Sequence, residues 1–343
     1  MTEDVRRNGS PSRPAAYPIE TLRFDDPFVI SRGASVGEAA AVLMVTPSAQ
    51  VPSAATLEQL RHAYALRDDL ASAWATRPVG LDQEGERPTL LLDDPGGQLL
   101  DPLVGRPFGV EPFLRVAIGL AVALGGLHKR GLIHKDIKPA NLLVDVSTGR
   151  VWLTGFGFCS RVPREQVAPA PSEAIAGTLA YMAPEQTGRM NRSVDVRADL
   201  YSCGVTFYEM LTGQLPFSAS DTMEWVHCHI ARQPPKPSLG SDGIPQALDA
   251  IVMKLLAKTP EERYQTAAGL EADLRLCLAE WEANGRLDPS FVPGGHDASD
   301  QLFIPEKLFG REAEIDVLLG AFEQVFLDLR GLVEGPLLVL RVV

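Results

Sequence analysis

Apolar positions in the early part of the chain come in short runs separated by polar turns, which is how strands read. PFVIS (27–31) and AAAVLMV (39–45) are strand-like, and RPTLLLDD (87–94) reads as a buried strand. Between them, TLEQLRHAYALRDDLAS (56–72) has the spacing of an amphipathic helix. From about residue 111 the apolar spacing becomes helical. EPFLRVAIGLAVALGGLHKRG (111–131) predicts a long helix stopped by Gly131. Two short strands, near 142–145 and 151–154, flank the turn signal VSTG, and helices follow at about 196–212, 221–232, 246–258 and 265–283. The pattern predicts an α+β protein of two lobes: a small β-rich lobe over about 18–95 and a large helical lobe over about 96–283.

Composition changes this picture little. The 343 residues are 45% hydrophobic and 22% charged, as expected of a globular chain. No apolar run approaches the ~20 residues of a membrane span. VAIGLAVALGGLH (116–128) therefore reads as a buried helix, and no membrane segment is expected. Residues 1–17 have no apolar core and read as a disordered leader, not a secretory signal, which makes the cytoplasm the expected location. A net charge of −12 argues against a nucleic-acid partner, because phosphate contacts require a basic surface. The four cysteines, Cys159, Cys203, Cys228 and Cys277, form no CxxC pair and read as reduced thiols. His227, Cys228 and His229 are adjacent, but helical residues two apart do not share a face, so no metal site is expected there.

The candidate chemistry lies where the two lobes meet. LIHKDIKPANLLVD (132–145) places His134, Lys135, Asp136, Lys138 and Asn141 at the spacing H-K-D-x-K-x-x-N. This stretch resembles the catalytic loop of Ser/Thr protein kinases, H-R-D-x-K-x-x-N, with lysine in place of arginine. Three more stretches follow in that family's order: GTLAYMAPE (177–185), RADLYSCGVTFYEMLTGQLPF (197–217) and EERYQTA (261–267). The resemblance implies that Asp136 orients a substrate hydroxyl and accepts its proton. It further implies that Lys138 offsets charge on the transferred phosphoryl group and that Asn141 ligates magnesium. Thr178 would dock substrate beside Asp136 and Lys138, and Glu185 would pair with Arg263 in a buried ion pair. His134 and Asp199 would be structural, Asp199 tying the central helix to the loop backbone near His134. Leu92 and Asp93 would join Asn141 in binding the cofactor. ATP and Mg2+ are the implied cofactors of an active form.

Against this stand several departures from the family pattern. FDDPFVISRGASVGEAA offers Gly33 and Gly37 only, with Asp25, Asp26 and Pro27 where a glycine-rich lid over the phosphates would begin. The first lysine of the whole chain is Lys129, so the small lobe has none to hold phosphates; the family position falls near Met44. The glutamate expected on the small-lobe helix falls at Ala63, with Glu58 nearby. In LLLDDPGG, Pro95 occupies the place of a backbone N–H that meets adenine, and proline has no such donor. Gly155, in GFG (155–157), replaces the magnesium-binding aspartate, leaving Asn141 alone for a cation that wants six oxygens in octahedral array. Removing one such group would cost orders of magnitude in rate, by analogy with the ~10²–10³-fold lost with a single oxyanion-hole donor.

The pattern is read as a regulatory kinase-like module with little or no phosphotransfer, a pseudokinase; the alternatives are a Ser/Thr kinase with atypical phosphate and metal handling and a ligand or peptide sensor using the vacant cleft. NGRLDPSFVPGGHDASDQ (284–301) reads as part of a linker over 284–305. IPEKLFGREAEIDVLLGAFEQV and the strand-like PLLVLRVV after it resemble the entry to an AAA-type ATPase domain, so 306–343 reads as the incomplete start of one. Large bacterial sensor proteins place similar kinase-like domains before such an ATPase and a histidine kinase. The resemblance therefore implies protein partners or downstream ATPase and histidine kinase domains.

Overall fold

Alternation of buried and half-exposed positions builds the first sheet. A computed structural model describes residues 20–25, 27–34, 41–83, 87–161, 178–190, 192–241 and 243–297. Within it, β1 (Glu20–Asp25), β2 (Phe28–Ala34), β3 (Ala41–Pro47), β4 (Pro78–Asp82) and β5 (Thr89–Asp93) form an antiparallel sheet of order β1-β2-β3-β5-β4. Leu43 and Val45 of β3 and Leu90 and Leu92 of β5 bury one face, as period-two patterning requires. Between β3 and β4 runs α1 (Ala54–Ala65), started by Ser53, whose hydroxyl accepts the Thr56 N–H at 3.1 Å. β1 and β4 fall outside the strands that alternation predicts. β1 leaves Phe24 exposed and carries a register shift between Thr21 and Arg23, while β4 begins with proline and exposes Val79.

α1 is shorter than the predicted 56–72. Leu66 and Leu70 are both buried, and the chain turns at Leu66 to bring Trp74–Thr76 beside the large lobe. There Thr76 N–H bonds to the Leu153 carbonyl and Leu153 N–H to that of Trp74, both at 2.9 Å. Tertiary pairing overrides the helical spacing at this point.

The large lobe follows the predicted order. β6 (Gln98–Leu99) leads to α2 (Val110–His128), then β7 (Leu132–Ile133), β8 (Leu142–Asp145), β9 (Arg150–Leu153) and β10 (Ser160–Arg161). α3 (Val196–Thr212), α4 (Thr222–Ile230), α5 (Gln246–Leu255) and α6 (Ala267–Asn284) complete it. α2 is long and apolar enough to cross a membrane by length and composition. Its residues Phe113, Leu114, Leu120, Leu124 and Leu127 are nevertheless fully buried in the large-lobe core. α3 is buried almost all round, as befits the central helix of a lobe. It is capped by Asp195 at its start and stopped at Gly213, whose φ is 71°.

Residues 285–297, within the segment read as a linker, pack onto this lobe. Leu287 is buried, and the Asp297 carboxylate accepts N–H bonds from Gln265 and Thr266 at 2.5 and 3.0 Å, capping the entry to α6. The ATPase-like stretch 306–343 lies outside the described residues.

Candidate functional site

Asp199 organises the loop between β7 and β8. Fully buried on α3, it accepts the backbone N–H groups of His134 and Lys135, each at 2.8 Å, and bonds His128 Nε2 at 3.0 Å. Burial alone would push the Asp199 carboxyl up, but the His128 and His134 contacts outweigh it and hold it below the usual carboxylate range. Lys135 has φ 68°, the one left-handed non-glycine among the described residues. Such a conformation persists only where neighbours fix it. Here Asp199 holds its N–H and Gln186 Nε2 its carbonyl, at 2.9 Å. Behind the loop, His134 Nε2 meets the Thr154 carbonyl at 2.9 Å, and burial lowers the His134 pKa, so the ring is a neutral donor.

Held this way, Asp136 faces the cleft with its carboxylate fully engaged. Oδ1 accepts from Thr178 N and Oγ1, both at 2.9 Å; Oδ2 accepts from Asn141 Nδ2 at 2.8 Å and meets Lys138 Nζ at 3.1 Å. Lys138 also bonds Thr178 Oγ1. The loop residues Asp136, Lys138 and Asn141 therefore come together with Thr178. The structural pair forms as well. Arg263 Nη1 and Nη2 grip the two oxygens of Glu185 at 2.7 and 2.9 Å, with both side chains buried.

The nucleotide side of the cleft is different. Its cavity, about 270 Å³, is walled by Ile30, Val45, Leu60, Ala63, Leu92 and Phe156. Met44 does not face it and lies under Gly33, on the opposite side of β3. The inward position near Met44 is Val45, which lines the cavity. Ala63 does line the cavity, while Glu58 is exposed and near Arg61, leaving Gln59 as the polar residue α1 offers there. Leu92 lines the cavity, but the Asp93 carboxylate turns away to Ser72 Oγ and the Arg77 N–H. Asp93 thus brings no side chain to a cofactor. Among the described residues no glycine-rich lid covers the site: Asp25 pairs with Phe28 where β1 and β2 meet, and Gly33 lies at the far end of β2.

Two arginines that sequence reasoning missed hold the first sheet to the segments beyond it. Arg23 of β1 reaches down so that Nη1 lies 3.2 Å from the Ala140 carbonyl and 3.3 Å from Asn141 Oδ1. Arg32 of β2 pairs with the buried Asp94 carboxylate at 2.5 Å and with the Gly97 carbonyl at 2.9 Å. Arg23 carries no motif, and the β1 register shift that aims it is invisible in a residue pattern.

Magnesium does not fit these residues. Asn141 Oδ1 already faces a guanidinium, and Gly155 contributes no oxygen. Gly155 adopts φ 81°, and a Cβ built there would lie 2.7 Å from Asn141 Cγ and Oδ1. Nor does the cavity offer a triphosphate any lysine from above.

A family model for the protein kinase domain matches residues 97–274, just over half of the chain. The chain belongs to the protein kinase domain family. A serine/threonine-protein kinase PknB of Mycobacterium tuberculosis is 35% identical over 192 residues, covering 55% of this chain and 30% of that protein. Pkn1 of Myxococcus xanthus, a serine/threonine-protein kinase, is 34% identical over 203 residues, covering 58% and 29%. A probable serine/threonine-protein kinase of Streptomyces coelicolor, SCO3848, is 34% identical over 193 residues, covering 56% and 28%. The chain thus spans under a third of the length of these relatives. The family match begins at residue 97, after the five-stranded sheet. This kinase-family chain has the two-lobed α+β architecture, with its sequence kinship concentrated in the large lobe.

Proposed function

We propose that this kinase-fold chain acts as a regulatory signalling module with little or no Mg-ATP phosphotransfer. The observation that carries the reading is the Arg23 guanidinium 3.3 Å from Asn141 Oδ1, a positive charge beside the oxygen that would ligate magnesium. Val45, Gly155 and the donor-less Pro95 point the same way. Phosphoryl transfer depends on positioning and charge neutralisation, and these substitutions remove both on the nucleotide side. Such a module works through protein partners, including ATPase and histidine kinase domains of a bacterial sensor system, in the cytoplasm.

A second reading, an active Ser/Thr kinase using ATP and Mg2+ with atypical contacts, is favoured by one observation. Asp136, Lys138 and Thr178 keep a geometry suited to a substrate hydroxyl. Transfer from labelled ATP to a generic Ser/Thr protein, with Asp136→Asn as blank, separates the two. The regulatory reading expects no signal above the blank; robust Asp136-dependent transfer would replace it with the second.

A further inference from the structure

We propose that Lys258 is a modification site, an amine acylated without an enzyme by small acyl phosphates. The residue belongs to the large lobe and does not line the interlobe cavity, so the proposal is independent of what the cleft binds.

Lys258 follows α5 and lies half-buried against α3 and α4. Its Nζ donates to the Cys228 carbonyl at 3.0 Å and stands over the rings of Phe217 and Tyr201, at 4.7 and 5.9 Å. The titratable and charged groups around it are Tyr201 of α3, Cys228 and His229 of α4, and Arg263 beyond α5. None of these is a carboxylate. Glu185, which acts on the same Tyr201, gives both its oxygens to Arg263, at 2.7 and 2.9 Å. Arg263 in turn puts a second cation over the Tyr201 ring, at 4.9 Å. Among the described residues Lys258 therefore makes one hydrogen bond, to a neutral carbonyl, and no ion pair.

This setting favours the neutral amine. Ring faces attract an ammonium, but taking it out of water without a counter-ion costs more than they return. Burial lowers Lys258 to about 7; Cys228 opposes the shift and the Arg263 charge adds to it. About half of the Lys258 amines are then neutral at pH 7, against about one in 2,500 for an ordinary lysine at ~10.4. A neutral amine is a nucleophile and an ammonium is not. The Nζ lone pair attacks the acyl carbon of an acyl phosphate and forms the amide bond. The carbon–oxygen bond to phosphate breaks, phosphate leaves with that electron pair, and an Nζ proton passes to water. The product amide keeps one N–H for the Cys228 carbonyl and carries no charge, so acylation removes a cation that its surroundings solvate badly.

The test treats the full chain with acetyl phosphate from about pH 6.5 to about 9.5 and follows acetylation of each lysine by peptide mass spectrometry. The exposed Lys236 is the comparator. At pH 7 Lys258 should react at least about tenfold faster than Lys236, and its rate should level off above about pH 8 while that of Lys236 keeps rising. In urea, where the fold is lost, the two rates should become equal to within about twofold, because both amines return to the ordinary ~10.4. A Lys258 rate no faster than that of Lys236 at pH 7 overturns the proposal. So does a Lys258 rate that climbs in parallel with Lys236 to the alkaline end. A preference that persists in urea overturns it too, since the fold would then not be its cause.

Discussion

Gly155→Asp tests the proposal that the loop lacks phosphotransfer for want of more than one carboxylate. The substitution restores the family residue on paper, but the space beside Gly155 has been taken. A Cβ at this position would lie 2.7 Å from Asn141 Cγ and Oδ1 and 2.9 Å from Nδ2. Asn141 cannot yield cheaply, because its Nδ2 bonds both the backbone carbonyl and the Oδ2 of Asp136 at 2.8 Å and the residue is buried. Displacing those bonds costs about 1–3 kcal/mol. Holding a non-glycine residue at φ 81° adds about 1 kcal/mol, since aspartate tolerates the left-handed region better than most. The variant is therefore expected to lose about 2–4 kcal/mol of stability. It also places a second carboxylate in a cleft wall that already contains Asp136.

Two measurements check this. Guanidinium denaturation should show a lower midpoint with an unchanged slope, the signature of a native-state clash. Transfer from labelled ATP in Mg2+, with Asp136→Asn as blank, should remain at background, because no lysine aligns the phosphates and alignment supplies much of the acceleration. A Gly155→Asp protein as stable as its parent, and able to transfer phosphate in an Asp136-dependent way, would refute both the packing argument and the reading of the cleft.

Three other outcomes are expected. Arg263→Ala leaves Glu185 buried and unpaired and strips donors from the Ala257, Arg197 and Lys258 carbonyls. It should cost ~3–5 kcal/mol, read as a fall in melting temperature, and a loss under 1 kcal/mol would contradict a buried pair. Val45→Lys should destabilise alone and recover part of the loss with Ala63→Glu, a coupling of at least ~0.5 kcal/mol in a double-mutant cycle; Met44→Lys, on the other face of β3, should show no such coupling. Burial, with Lys258 nearby, lowers His229 to about 4. The unfolded state then binds more protons between that value and the ordinary ~6.5, so stability should fall as pH drops through this window, by up to about 3 kcal/mol. His229→Gln, which keeps a partner for the Tyr201 hydroxyl that meets Nδ1 at 3.0 Å, should flatten that slope, and an identical slope would count against it.

The large lobe was legible in the sequence because its determinants are local or come as charged pairs with one solution. The helix over 196–212 and the turn at VSTG follow from spacing, capping and turn chemistry. Glu185, Arg263 and Asp199 lie where the motifs place them. The small lobe was less legible because a strand's side-chain direction flips with each residue. A position read only as near Met44 therefore carries no face, and it is the neighbouring Val45 that lines the cavity. Helix α1 was overextended because Leu66 and Leu70 keep a helical spacing that the docking of Trp74–Thr76 overrides. Arg32–Asp94 and Arg23–Asn141 join distant strands and loops, and nothing in a single sequence pairs them.

What persists and what is lost in this cleft separate along a physical line. The Glu185–Arg263 pair, the Asp199 clamp and the His134–Thr154 bond satisfy buried polar groups of the large lobe, and each is costly to leave half-made. Their loss would destabilise the lobe whatever the cleft binds. The nucleotide-handling positions carry no such constraint. A lysine and a glutamate facing an empty cavity are charges in a desolvated wall, and valine and alanine at those positions cost less in the absence of ligand. Aspartate at position 155 needs a compensating cation, and with glycine there Asn141 bonds Asp136 on one side and faces Arg23 on the other. Two arginines hold the first sheet to neighbouring segments: Arg23 to the loop at Ala140 and Arg32 to Asp94. A ligand entering the cleft must compete with contacts that Arg23 already makes with the Ala140 carbonyl and Asn141 Oδ1.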